Sequence, residues 1–174
     1  MKPNISLWQF AGFSLSSLLG TILHFLYDWT NQSLIIAPFS GVNESTWEHM
    51  KLLYFPLFIF ALVQSRFFKY YKNFWNIKLL GISTGLLLIP LLFYTYNGVI
   101  GKSPDFINIT IFFVSAAASY FLEWRLFKTN KVTNKHSALA LCGICFIGIL
   151  FILYTFITPK IAIFKDPLTG GYGI

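Results

Sequence analysis

Two histidines and three carboxylates gather in one short part of this sequence. His24 and Asp28 stand four residues apart, as do Ser45 and His49, and Glu44 and Glu48. On a helix that spacing stacks both members of a pair on one face, a turn apart. Imidazole and carboxylate groups are ligands for zinc, iron or manganese, so His24, Asp28, Glu44 and His49 form a candidate set for one divalent metal. Three such ligands leave a position for water, and a metal-bound water is a hydrolytic nucleophile. Glu48 is the candidate catalytic carboxylate; Asn43, Ser45, Trp47 and Lys51 are candidate supporting residues. The chain contains no His-Glu-x-x-His run, so spacing alone does not select a metalloenzyme. The same groups also read as a lock between helices. Ser45-Thr-Trp-Glu48 is a capping box, in which Ser45 accepts from the Glu48 backbone and Glu48 reaches back. A His24–Asp28 or His24–Glu44 hydrogen bond would hold two helices together, Lys51 would snorkel outward or pair with Glu44 or Glu48, and Trp47 and Tyr27 would anchor at an interface.

The elements that must position these groups are long and apolar. Hydrophobic residues make up 56% of the 174 residues and charged residues 11%, against about 25% charged in a soluble domain. A helix needs roughly 20 residues to cross a bilayer, and five segments qualify, at about 8–27, 46–65, 77–96, 106–127 and 137–158. The fold expected is an all-α integral membrane protein, one transmembrane domain over residues 1–174 with a bundle of about five spans. The runs do not alternate as barrel strands do. Pro56 and Pro90 fall inside the second and third spans and are expected to kink them. The stretch Leu7–Tyr27 exceeds the apolar core of a signal peptide and reads as a retained helix.

Loop charges give an orientation. Lys2, Arg66, Lys69, Lys72, Lys78, Arg125, Lys128, Lys131 and Lys135 fall on one side; Lys51, Lys102, Lys160 and Lys165 fall on the other with five of the six acidic residues. The excess of basic loops marks the cytoplasmic side, so the N-terminus is expected inside and the C-terminus outside. That puts His24, Asp28, Glu44, Glu48 and His49 at the outer boundary, where ionisable groups mark function by default. The net charge of +7 sits in short clusters rather than on one continuous basic face, which excludes nucleic acid as a partner. The partner expected is the lipid bilayer, with a helix–helix partner or a second copy as further options. The small residues Gly12, Ser16 and Gly20 lead to His24 and Asp28 at intervals of four, a stripe suited to close helix packing that would turn both polar groups toward protein. Ser33–Phe39 is apolar but too short to span, and is either re-entrant or interfacial. Cys142 and Cys145 have redox spacing inside an apolar run and read as packing. Ser115, Ser119 and Glu123 share one helix face, and Glu123 is expected to pair with Lys78 or Arg125.

Three stretches carry a resemblance: Leu23–Trp29, the run Asn43-Glu-Ser-Thr-Trp-Glu-His49, and the tail Asp166-Pro-Leu-Thr-Gly-Gly-Tyr-Gly173. They resemble an uncharacterised family, a domain of unknown function, of small multi-pass bacterial membrane proteins. The resemblance covers nearly the whole chain and implies a bacterial plasma-membrane location, but no activity. It also implies that the tail covers the helix-one and helix-two cluster, so that Asp166 or Tyr172 joins the site. Three functions remain open on the sequence: a metal-dependent enzyme acting on an outer-leaflet substrate, a small-solute binding or transport protein, and a non-enzymatic membrane subunit with the cluster as its lock.

Overall fold

The computed structural model describes residues 3–101, 103–129 and 131–174. Lys2 and Lys102, which contribute to the orientation reading, lie outside the described residues. Five helices follow one another: α1 (Ile5–Trp29), α2 (Thr46–Ser65), α3 (Phe74–Val99), α4 (Asp105–Thr129) and α5 (Ser137–Phe156), with a 3-10 turn at Ala162–Phe164 in the tail. Among the described residues there is no strand, only an isolated bridge between Lys165 and Tyr172. Four helices, α1, α3, α4 and α5, are long and apolar enough to cross a membrane.

The helices are inside-out by the standards of a soluble protein. On α1 the buried positions include Gln9, Gly12, Ser16, Ser17 and Gly20, whereas Leu7, Phe10, Leu18, Ile22 and Phe25 are exposed. A soluble amphipathic helix buries the opposite set. The small-residue stripe is what α1 packs with. Gly12 lies against Phe60 and Tyr120, and Gly20 against Phe112 and the Leu52 carbonyl. Between them Ser16 shares a 2.7 Å hydrogen bond with the Tyr120 hydroxyl.

Helix α2 is the central element. It buries residues on every side, from Leu52, Leu53 and Tyr54 to Phe60, Ala61 and Gln64. It packs on α1, α3, α4, α5 and the tail turn. Ser45 caps it, accepting from the Glu48 backbone at 3.3 Å. Tyr54 reaches across to α5 and donates to the Ile144 carbonyl at 2.7 Å, through a gap that Gly148 leaves open. Pro56 and Pro90 both lie within uninterrupted helix. Cys142 and Cys145 are exposed on α5 rather than packed in the core, because the inward face of that helix is the Ala140, Ile144, Gly148 and Phe151 row.

Both ends of the bundle hold a buried ion pair. At the α2 start, Lys51 bonds Glu48 at 2.6 Å, the Ala37 carbonyl at 2.8 Å and the Thr155 hydroxyl at 3.0 Å. All three ammonium protons are thus used, and α2, the 34–39 turns and α5 are tied together. At the other end, Lys78 of α3 bonds Glu123 of α4 at 2.6 Å, and Ser115 and Ser119 lie on the same buried face as Glu123.

Candidate functional site

The loop between α1 and α2 returns over the last turns of α1 and builds the site. Ser33–Phe39 forms consecutive turns, not a helix; Ala37 is buried while Leu34 and Ile35 are exposed. The next residue, Ser40, donates to the Leu23 carbonyl and accepts from the Tyr27 backbone at 2.9 Å. A hydroxyl therefore inserts into the α1 ladder at the turn that carries His24. Gly41 adds a backbone bond to the same Leu23 carbonyl at 3.3 Å. Asn43 then makes a local turn, its side-chain oxygen accepting from the Ser45 backbone at 2.9 Å. Its amide donates to the Gly173 carbonyl of the tail at 3.0 Å. Glu44 is held between these anchors.

From there the Glu44 carboxylate spans both imidazoles. One oxygen lies 3.6 Å from His24 Nε2, and the other lies 3.5 Å from His49 Nε2. The rings are 5.8 Å apart, centre to centre. One ligand atom from each of His24, Glu44 and His49 can be chosen so that all lie within 4.8 Å of one another. His49 Nδ1 stands 2.9 Å from the Ser45 carbonyl. A carbonyl only accepts, so Nδ1 carries the proton. In the neutral ring Nε2 then presents a lone pair toward Glu44. Such an outer hydrogen bond, fixing the tautomer and the ring, is what metal-binding histidines use.

The remaining sequence candidates fall elsewhere. Asp28 is exposed and outside the cluster. A step of four residues advances roughly 40° around a helix, so four such steps from Gly12 carry Asp28 far off the packing face. Glu48 turns into the bundle. It pairs with Lys51, and its carboxylate reaches back to the Val42 backbone at 3.0 Å instead of the Ser45 backbone, which Asn43 already occupies. Lys51 does not snorkel; it is wholly buried. Trp47 packs on Phe151, Tyr154 and Phe164 as a platform for the tail, not as an interface anchor, and Tyr27 is buried as well. Asp166 shapes the tail, accepting from the Leu168 backbone at 2.8 Å and from Thr169 at 2.7 Å. Tyr172 lies in a separate hollow with Leu34, Phe156 and Lys160.

The tail does approach the cluster, but through Pro167 and Leu168. These two residues line a cleft of about 330 Å³ whose walls also include His24, Glu44, His49, Asn97, Asp105 and Asn108. Ser103 closes one side: its backbone N–H donates to the Asn97 side-chain oxygen at 2.9 Å, its hydroxyl donates to Asn108 at 2.8 Å, and the same hydroxyl oxygen accepts from the Asn97 amide at 3.3 Å. Behind His49 is a void of about 20 Å³ bounded by Glu44, Thr46, Asn108 and Phe112, enough for one water. Asn97, Ser103, Asp105, Asn108 and Ser40 carried no signal in sequence, because each reaches the site through tertiary packing rather than through a shared helix face.

Comparison with curated proteins and with solved structures gave no match. A family model does match, over residues 1–174. The chain carrying this His-Glu-His cluster under a folded-back tail belongs to the family of unknown function DUF6512.

Proposed function

We propose that this protein is a membrane-embedded metal site with hydrolytic capacity, built from His24, Glu44 and His49. The separations of 3.5 and 3.6 Å between Glu44 and the two imidazoles carry this reading. Direct hydrogen bonds of this kind run at about 2.7–3.2 Å, so these contacts are longer than direct hydrogen bonds and lie at ion-pair distance. Two ligand atoms each about 2.1 Å from a tetrahedral ion stand roughly 3.4 Å apart; with one atom from each residue the three lie within 4.8 Å, so an ion would draw them together. A lone pair of neutral His49 directed at a carboxylate is unfavourable, and either a proton or a metal cation between them relieves it. Two imidazoles and one carboxylate suit zinc, iron or manganese and leave coordination positions open. The cleft adjoins all three side chains and the small void adjoins Glu44 and His49.

A metal held there would acidify a bound water and polarise a carbonyl or phosphoryl oxygen. In hydrolysis the water's hydroxyl joins that carbon or phosphorus, and its proton leaves with the departing group. Asn97, Asp105 and Asn108 are the polar groups available to orient a substrate head in the cleft. All five helices span the bilayer in this reading. α2 is the inner one, its Glu48 and Lys51 shielded by protein instead of facing lipid. The basic loops lie in the cytoplasm and the site opens outside. Cobalt(II) tests the coordination. Added to metal-free protein, it should give the intense visible bands of a four-coordinate N/O site, lost in Glu44→Gln and in His24→Ala. A featureless spectrum in the parent chain would refute the site.

A further inference from the structure

A second concavity joins the cleft and differs from it in chemistry. A groove of about 220 Å³ runs between α1 and α4 below the histidines, lined by Gly20, Phe25, Leu52, Phe112 and Phe113 together with Thr21. It shares His24, His49, Asn108 and Ile109 with the polar cleft. The two spaces are therefore one continuous surface, polar above and apolar below, with both imidazoles at the junction. The groove opens on the faces of α1 and α4 that present exposed Phe25, Ile109 and Phe113, the same faces that carry the apolar belt of the bundle. A soluble polar substrate would leave the groove empty, and a hydrocarbon would leave the cleft empty. One molecule satisfies both halves only if it has a polar head and a hydrocarbon chain.

We infer that the α1–α4 groove is the chain subsite for a single-chain amphiphile whose oxygen-bearing head lies in the cleft beside His24 and His49. This rests on the proposed metal site for its chemistry, while the seat of the chain is the groove, which Glu44 does not line. A chain that comes from lipid is already out of water and gains only packing against the groove walls, so the groove places the chain while the head's polar contacts in the cleft supply selectivity. Entry is sideways from the lipid face, and the scissile bond would be near the head, where groove and cleft meet.

The test uses the intact protein in lipid nanodiscs and a lysophospholipid carrying a photoactivatable diazirine in its acyl chain. Peptide mapping should find saturable labelling concentrated on the α1 and α4 peptides that hold Thr21, Phe25 and Ile109, competed by unlabelled lysophospholipid. Ile109→Trp fills the groove from its open, exposed side and should lower labelling at subsaturating probe about tenfold, equivalent to about 1.4 kcal/mol. The parent protein stripped of metal should keep the same α1 and α4 labelling pattern, so that loss of the metal and loss of the subsite are read apart. Labelling spread over all lipid-facing helices and indifferent to Ile109→Trp would mean ordinary surrounding lipid and would overturn the subsite. Concentrated labelling in a parent chain that binds no metal would uphold the subsite and remove only the metal.

Discussion

His49 is constrained from both ring nitrogens. Its Nδ1 is committed to the Ser45 carbonyl one turn earlier, and its Nε2 faces Glu44. Ser45 in turn takes its position from Asn43, which also binds the tail at Gly173. Gly173 adopts a positive φ of 67° and lies against Thr158, so the tail carbonyl reaches Asn43 at a place where a side chain would be obstructed. Asn43 thus positions Glu44 without facing the cleft. Outer groups of this kind are worth about 10–100-fold in metal affinity. Asn43→Ala should therefore weaken zinc binding at least about tenfold by competition with a chelating dye, while the helical content by circular dichroism stays that of the parent. An affinity unchanged by Asn43→Ala would mean that Glu44 is not held through this turn. At this scale the sequence is readable where partners are close in the chain. The run Asn43–His49 carries its own capping and its own i, i+4 pair. Ser40 and Asn108 reach the site from a loop and from another helix, and no local spacing announces them.

Among the elements, α2 explains why the described residues form five helices of which four pass for spans on apolarity. Its Glu48, His49 and Lys51 lower its apolar average, and the same residues are buried or half-buried because neighbours surround the helix. A helix enclosed by protein need not look like one bathed in lipid. Length and loop placement reveal α2 in the sequence, whereas its central position emerges only when burial is known. The stripe on α1 was legible from Gly12 to His24 and then misled at Asp28, since helix geometry turns the residue away. The pairing of Glu123 was narrowed in sequence to Lys78 or Arg125; the structure selects Lys78, one α3 face against one α4 face. Removing one partner from such a buried pair leaves an uncompensated charge and costs about 3–5 kcal/mol, whereas an apolar pair of similar size is often neutral. Glu123→Ala should accordingly lower the thermal midpoint of the detergent-solubilised protein sharply, and the combined Lys78→Met, Glu123→Leu chain should regain most of the loss. Equal instability of the single and double variants would show that the pair does more than satisfy its own charge.

At the scale of the molecule, the chemistry and the charge separate to opposite ends. His24, Glu44, His49, Asp105 and the tail share one end with the α1–α2 and α3–α4 connections, and Arg66, Lys69, Lys72, Lys128, Lys131 and Lys135 share the other. The orientation proposed from the positive-inside rule has the cleft open outside. With Cys142 and Cys145 replaced by Ser, a membrane-impermeant maleimide applied to intact cells should label Asp28→Cys and spare Lys131→Cys until the membrane is opened. The reverse pattern would invert the orientation and place the cleft in the cytoplasm. The all-helical architecture was legible because lipid-length apolar runs are long and uniform. The tail's path was only half legible: its turn residues marked a folded segment, but which side chains it brings over the histidines depends on packing against Trp47 and Asn43.

The metal content of the protein, purified in detergent without chelator and measured by elemental mass spectrometry beside His49→Ala, bears most directly on the central claim. One equivalent of zinc, iron or manganese per chain in the parent, absent from the variant, is the result expected of a His24–Glu44–His49 centre. No metal in the parent, and none regained after dialysis against each of the three ions, would contradict it and leave the three side chains as a bridge between α1 and α2.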